Sequence, residues 1–149
     1  MKKPSRLVAV AALALACVAA RAQVSVDHPW VRTTVAQQTT TGAFMTITSV
    51  QGGKLVSASS PIAASVEVHE MKMDGDTMKM RPVDALPLPA GKPVELKAGA
   101  YHMMLMGLKK PVKFGDVVPI QLVVEDAKGR RETVDVKAVA KPIDRKSVV

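Results

Sequence analysis

Cysteine is nearly absent from this chain, which has a single one, Cys17, among 149 residues. Cys17 lies in an N-terminal segment that we expect to be removed, which would leave the mature chain without a thiol. Such a chain can form no disulfide, no thiolate metal site and no cysteine nucleophile. Any soft metal ligand would then have to be methionine, of which the sequence has 9.

The N-terminal segment has the three parts of a secretory signal peptide. Three basic residues precede an apolar run from Leu7 to Ala20, and Ala20-Arg21-Ala22 is a small-x-small cleavage site. The sequence therefore predicts that residues 1–22 are cleaved, that the mature chain begins at Gln23, and that the protein is periplasmic.

The apolar run is too short to keep the protein in a membrane, since a spanning helix needs about 20 apolar residues. We therefore expect no stable membrane insertion. Cys17 follows Ala14-Leu15-Ala16, in which the leucine stands one place too late for a lipoprotein signal, and we expect no lipidation.

Aromatic residues and strong charge are also scarce. Aromatic side chains make up 3% of the chain, and without the four basic residues of the leader the net charge falls from +8 to +4. The remaining bases are scattered, whereas a nucleic-acid surface needs a basic stripe with stacking rings or a recognisable module. The composition argues against nucleic acid as a partner.

No segment of the mature chain has the apolar periodicity of an amphipathic helix of ordinary length. Short alternating or apolar runs separated by Gly, Pro and Asp predict about nine strands in one domain, residues 23–149, and an all-β fold, preferably a Greek-key sandwich. The predicted strands are Trp30 to Thr34, Gly42 to Ser49, Lys54 to Ser59, Ser65 to Met71, Met78 to Val83, Pro93 to Leu96, Tyr101 to Leu108, Val117 to Glu125 and Thr133 to Val139.

One segment, VEVHEMKMDGDTMKMRPV, places a histidine and four methionines on both sides of Asp-Gly-Asp. Strand alternation puts Val66 and Val68 on one face and Glu67, His69 and Met71 on the other. A turn at Asp74-Gly75 would pair His69 with Met80, whereas a turn at Gly75-Asp76 would pair Met71 with Met80. His69 and Met80 share a face in both registers.

A second segment, YHMMLM, also combines a histidine with methionines on a predicted strand. Tyr101, Met103 and Leu105 can line the core while His102, Met104 and Met106 project together from the opposite face. If this strand lies near the hairpin, four donors converge: His69, Met80, His102 and Met104. Thioether and imidazole ligands together suit Cu(I), whereas thioethers are poor ligands for Mg, Ca or Mn.

Each residue also has an ordinary structural interpretation. His69 alone would be a solvated strand histidine, His102 a satisfied core or surface histidine, and His28 the start of a strand. Single methionines are usually packing residues. We interpret Met45 and Met73 as filler, either in the core or at the surface, and place Met71, Met78, Met103 and Met106 in the shell around the site. The charged residues Glu70, Lys72, Lys79 and Arg81 could steer docking or only aid solubility.

The spacing His69-x10-Met80-x21-His102-x-Met104 resembles the signature of periplasmic copper chaperones of the PCu(A)C type. The resemblance spans nearly all of the mature chain and includes the segments HPWVR, TGAFMTI, LVSASSP and YHMMLMGLKKPVKFGD. Two departures are the Ala98-Gly99-Ala100 segment, where the family usually has Pro-Gly-Gly, and the absence of a His/Met-rich C-terminal tail.

The resemblance implies a cupredoxin-like β-barrel or sandwich that holds Cu(I) at an exposed site made of His69, Met80, His102 and Met104. It also implies delivery of copper to an acceptor protein, either the CuA centre in subunit II of cytochrome c oxidase or another assembly factor. Separately, we expect the protein to be a monomer. The chain would then be a metal carrier rather than an enzyme.

Two other functions remain open at this point. An electron-transfer cupredoxin would normally use a cysteine thiolate with two histidines, which the mature chain does not offer. An exported interaction module would use the methionines as an apolar protein-binding patch.

Overall fold

The computed structural model describes residues 23–142, and all regular secondary structure within that range is β-strand. The all-β prediction is confirmed. Nine of the ten strands were predicted, although several begin earlier or end later than expected. The strands are β1 Val24–Arg32, β2 Thr40–Ser49, β3 Gly53–Ser59, β4 Ala63–Asp74, β5 Thr77–Pro82, β6 Leu86–Leu88, β7 Val94–Leu96, β8 His102–Leu108, β9 Val117–Glu125 and β10 Arg131–Lys141.

Seven strands close into a barrel in the order β4, β8, β2, β1, β10, β9 and β3. The closing contact is the pairing of Ala58 on β3 with Val66 on β4. All neighbours are antiparallel except β1 and β10. Closure leaves few unpaired strand edges. We preferred a sandwich, but the strands form a closed barrel. A barrel was the other architecture that the cupredoxin-like resemblance implied.

The barrel interior is filled by alternate residues of the strands, as the pleat requires. Met103 and Leu105 of β8 are both fully buried, and β9 buries four residues in strict alternation: Val118, Ile120, Leu122 and Val124. Each such side chain stabilises the fold by about 1.5–3 kcal/mol relative to an exposed one. The burial of Met103 and Leu105 turns the alternate residues of β8 to the outer face of the barrel.

The β4–β5 hairpin adopts the second of the two predicted registers. Met71 pairs with Met80 and Asp74 with Thr77, and Gly75 begins the turn with φ 63°, a value that glycine adopts without strain. The pairing of β4 with β8 ends at His69 and His102. Residues 70–81 therefore extend past the barrel as a two-stranded hairpin, called here the hairpin arm.

Two predictions fall on residues outside the described range, namely the cleavage of the leader, residues 1–22, and the state of Cys17. Between residues 23 and 142, no helix has the length and apolarity needed to cross a membrane.

Candidate metal centre

Two histidines meet where β4 pairs with β8. His69 stands directly opposite His102 in the antiparallel register, and their ring centroids are 5.9 Å apart with the planes at 76°. Residues directly opposite on such strands share a face of the sheet. The adjacent pair of the register, Val68 and Met103, points into the core. Because neighbouring residues of a strand point to opposite faces, both imidazoles project from the outer face of the barrel.

Met80 reaches this pair from the hairpin arm. It stands opposite Met71 on β4, which places it diagonally from His69 on the same face. Its sulfur lies 3.2 Å from Nδ1 of His69 and 3.0 Å from Nε2 of His102. Three of the four predicted donors are therefore in direct contact.

The other nitrogen of each imidazole has a hydrogen-bond partner that can only accept. Nε2 of His69 lies 2.9 Å from a carboxylate oxygen of Glu67, and Nδ1 of His102 lies 3.1 Å from the carbonyl oxygen of Ala100. Both nitrogens must therefore donate a proton. In a neutral ring this leaves Nδ1 of His69 and Nε2 of His102 with free lone pairs, and both are directed at Met80. Such outer partners are typical of histidines that bind metals.

Met104 lines a cavity of about 270 Å³ together with Met80 and His102. The cavity lies on the face of the sheet that carries the two imidazoles. It stands opposite Gly42 on β2 and opposite Glu67 on β4. The ring of Phe44 covers Gly42, since a Cβ there would lie 2.9 Å from Cζ of that ring. The absence of a side chain at Gly42 thus leaves room for Phe44 against the cavity wall.

The site is less exposed than the sequence predicted. The whole of His102 is 8% exposed and the side chain of His69 is 13% exposed, whereas Met80 is 50% exposed. The two nitrogen donors are thus shielded from water, and the thioether of Met80 forms the accessible side. An ion at this position would be reached from the direction of the hairpin arm.

Two methionine assignments are decided by the side of the strand on which each residue lies. Met103 is fully buried in the core, so its placement in the shell around the site is wrong: strand alternation turns it away from His102 and Met104. Met45 is buried in the core and Met73 is 55% exposed. Of the two predicted options, core filler therefore fits Met45 and surface filler fits Met73.

Sequence reasoning gave no role to Glu67, Ala100 or Arg32. The alternation of β4 had already placed Glu67 on the same face as His69. This was the sequence feature that could have indicated its contact with the imidazole. Arg32 lines the cavity of about 270 Å³ and also an adjoining larger groove of about 460 Å³ that contains His28 and Trp30. Its Nε is buried and has no hydrogen-bond partner within residues 23–142. His28 lies in β1 and lines only the larger groove.

Four charged residues of the hairpin arm form two ion pairs on its other face. Arg81 lies 2.6 Å from Glu70, and Lys79 lies 2.7 Å from Asp74. They are not directed at the imidazoles. Over the described range, no group of three or more His, Cys, Asp or Glu residues is placed to hold a metal ion. The candidate donors at this centre are the imidazoles of His69 and His102 and the thioether of Met80.

Comparison with known proteins assigns the chain to a family and a fold. The model of the LpqE-like family, a lipoprotein family, matches residues 24–138. A protein of Leifsonia xyli subsp. xyli named "Putative lipoprotein Lxx21020" is 32% identical over 118 residues, which are 76% of this chain and 69% of the relative.

Two solved structures have a similar fold. The solution structure of the Cu(I) form of DR1885 from Deinococcus radiodurans is 33% identical, with a TM-score of 0.58 and coverage of 79% of this chain and 76% of that protein. The copper-bound PCuAC domain from PmoF2 is 22% identical, with a TM-score of 0.62 and coverage of 80% and 95%. The chain belongs to the LpqE-like family and has the PCuAC fold, which confirms the resemblance to the PCu(A)C type.

Proposed function

We propose that this protein binds Cu(I) at His69, Met80, His102 and Met104 and passes it to an acceptor protein. One observation supports this ligand set above the others. Two imidazole nitrogens with free lone pairs lie 3.2 and 3.0 Å from the same thioether sulfur. Lone pairs directed at one another gain little unless a cation lies between them.

The donor chemistry favours monovalent copper. Thioethers select soft ions, and imidazole binds copper well. The carboxylate of Glu67 holds the ring of His69 in the required tautomer. Since the copper stays monovalent throughout, the protein acts as a carrier and not as an enzyme.

Transfer would proceed by exchange of ligands. An acceptor adds its ligands one at a time while those of the donor leave, and Cu(I), with its filled d shell, has no strong geometric demand. Methionine leaves easily because it is neutral and needs no proton. Met80, as the exposed ligand, would leave first, and the shielded imidazoles would hold the ion until the acceptor has engaged it.

The acceptor that we propose is the CuA centre in subunit II of cytochrome c oxidase or another factor in its assembly. The protein would act as a monomer in the periplasm after cleavage of residues 1–22. The lipoprotein names of the family and of the Leifsonia relative support export.

The test is a titration with Cu(I) against a competing chelator, followed by mixing of the loaded protein with a candidate oxidase domain. We expect tight one-to-one binding, its loss in a Met80→Leu/Met104→Leu variant, and the spectrum of a filled CuA centre after transfer. Met106→Leu is the matched control, because Met106 lies on the same strand and face as Met104, opposite Ser65. Equal affinity of the double variant and the control would contradict the proposed site.

The alternative function is that of an exported interaction module. It is favoured by the exposure of three methionines on the hairpin arm, Met73, Met78 and Met80, each about half exposed. Leucine preserves an apolar patch and removes the sulfur. Partner binding that survives Met→Leu substitution, without any copper binding by the native protein, would support this function instead.

A further inference from the structure

The hairpin arm has two chemically different faces beyond the barrel. Residues directly opposite on paired strands share a face, and the register pairs Met71 with Met80 and Met73 with Met78. All four methionines therefore lie on the face that continues from His69. The other face carries the ion pairs of Glu70 with Arg81 and of Asp74 with Lys79.

Packing does not explain the outer methionines. Met73 and Met78 are 55% and 54% exposed, so they gain little of the roughly 1.5–3 kcal/mol that full burial of such a side chain provides. They also lie beyond the last pairing of β4 with β8, and within residues 23–142 no third strand pairs with the arm at these positions. Both side chains therefore remain open to solvent over about half of their surface.

The geometry of the arm allows several of these sulfurs to meet at one point. Side chains directly opposite on paired strands have Cβ atoms about 4.5–5.5 Å apart, and diagonal neighbours are within reach of long side chains. Methionine has three rotatable bonds and adapts to irregular surroundings. Met73 and Met78 form one opposite pair, and Met71 is the neighbour of both on the same face.

We propose that Met71, Met73 and Met78 form a second soft-metal site that binds Cu(I) or Ag(I) on the hairpin arm. Its ligands are thioethers without imidazole, so it binds more weakly than the site at His69 and His102. Because Met80 continues the same row of sulfurs, an ion held on the arm lies on the path to that site. The choice of ion rests on the proposed function, but these three ligands are distinct from the four assigned there.

The test is a titration of the full mature chain with Ag(I), a soft monovalent ion that is not oxidised during the measurement. The methionine methyl groups are observed by NMR, and the stoichiometry is measured by native mass spectrometry. We expect two bound ions. The first shifts the methyl signals of Met80 and Met104 and also that of Met71, which lines their cavity. The second shifts those of Met73 and Met78.

The decisive variant is Met73→Leu/Met78→Leu, which keeps the apolar surface and removes two sulfurs. We expect it to bind one ion with unchanged first affinity, whereas the control Met106→Leu still binds two. Binding of one ion by the native protein, or of two ions by the double variant, would overturn the proposal.

The same titration separates this proposal from the function proposed above. A His102→Ala variant should lose the tighter binding event and keep the shifts of Met73 and Met78. If those shifts persist in the native protein while Met80 and Met104 never respond, the site at the histidines fails and the site on the arm stands. The reverse pattern would overturn only the site on the arm.

Discussion

His69 and His102 face each other directly across β4 and β8, and the sulfur of Met80 lies between 3.0 and 3.2 Å from one nitrogen of each ring. The relationship depends on the register of two strand pairs. A slip of one residue in either pair would turn one of these side chains to the opposite face of the barrel. The core residues Val68 and Met103 make such a slip costly, since it would expose them.

Glu67→Gln tests whether the carboxylate orients His69. The carboxylate of Glu67 accepts from Nε2 of His69 at 2.9 Å, and an amide can present its NH₂ group there instead and so favour the wrong tautomer. Changes to such outer partners cost about 10–100-fold in metal affinity, and we expect a loss of Cu(I) affinity in this range. Glu70→Gln is the control, because Glu70 pairs with Arg81 on the other face. Equal affinities of the two variants would contradict this role of Glu67.

Cu(I) affinity should fall as the pH is lowered from about 7 to about 5, because protons compete with the metal for the imidazole nitrogens. The measurement is the chelator competition repeated in buffers across this range. Binding of Ag(I) to Met73 and Met78 is the internal control, since thioethers take up no proton. A copper affinity independent of pH would argue against His69 and His102 as ligands.

Asp126 should make the stability of the β9–β10 hairpin pH-dependent. The backbone amide of Arg130 donates to this carboxylate, as do the Arg130 side chain and the amide of Lys128, and together they hold the pKa of Asp126 below its usual value of 3.8. A group whose pKa is lowered by folding stabilises the fold above its unfolded pKa and loses this effect as the pH falls through the folded value.

The corresponding variant is Asp126→Asn, compared with the native protein by urea unfolding at near-neutral and at acidic pH. We expect the variant to be less stable near neutrality and the difference to shrink as the pH falls below the usual carboxyl range. Asp84→Asn, at an exposed position, should show no such trend. A difference that is the same at both pH values would contradict this explanation.

If the leader is cleaved as predicted, the mature protein starts at Gln23 and contains no cysteine. The intact mass of the protein recovered from the periplasm of its native cells should match residues 23–149. A mass that fits a chain starting at Cys17 with attached acyl chains would show a lipoprotein and overturn the predicted cleavage site.

The sequence predicted the faces of β4 and β8 well, because a strand that covers a core must alternate. It could not choose between the two registers of the hairpin, since both turns contain Gly75 and leave Met80 on the face of His69. In the structure, all six pairs of β4 with β5 have the second register, from His69 opposite Pro82 to Asp74 opposite Thr77.

Contacts between distant segments were beyond the reach of periodicity. Nothing in the alternation of β8 shows that His102 lies opposite His69, and only the family resemblance indicated that the two segments meet. The low exposure of His102 depends on the same pairing. Strand β6, Leu86–Leu88, was missed because it has three residues with a proline at its centre, and proline is unfavourable in most strand positions.

The most direct test of the account is X-ray absorption spectroscopy at the copper edge on the protein loaded with one equivalent of Cu(I). The account predicts two imidazole nitrogens and two sulfur atoms around the metal, with one sulfur lost in Met80→Leu and both histidines retained. A spectrum without sulfur, or one that Met80→Leu leaves unchanged, would contradict the assignment of His69, Met80, His102 and Met104 as the ligands.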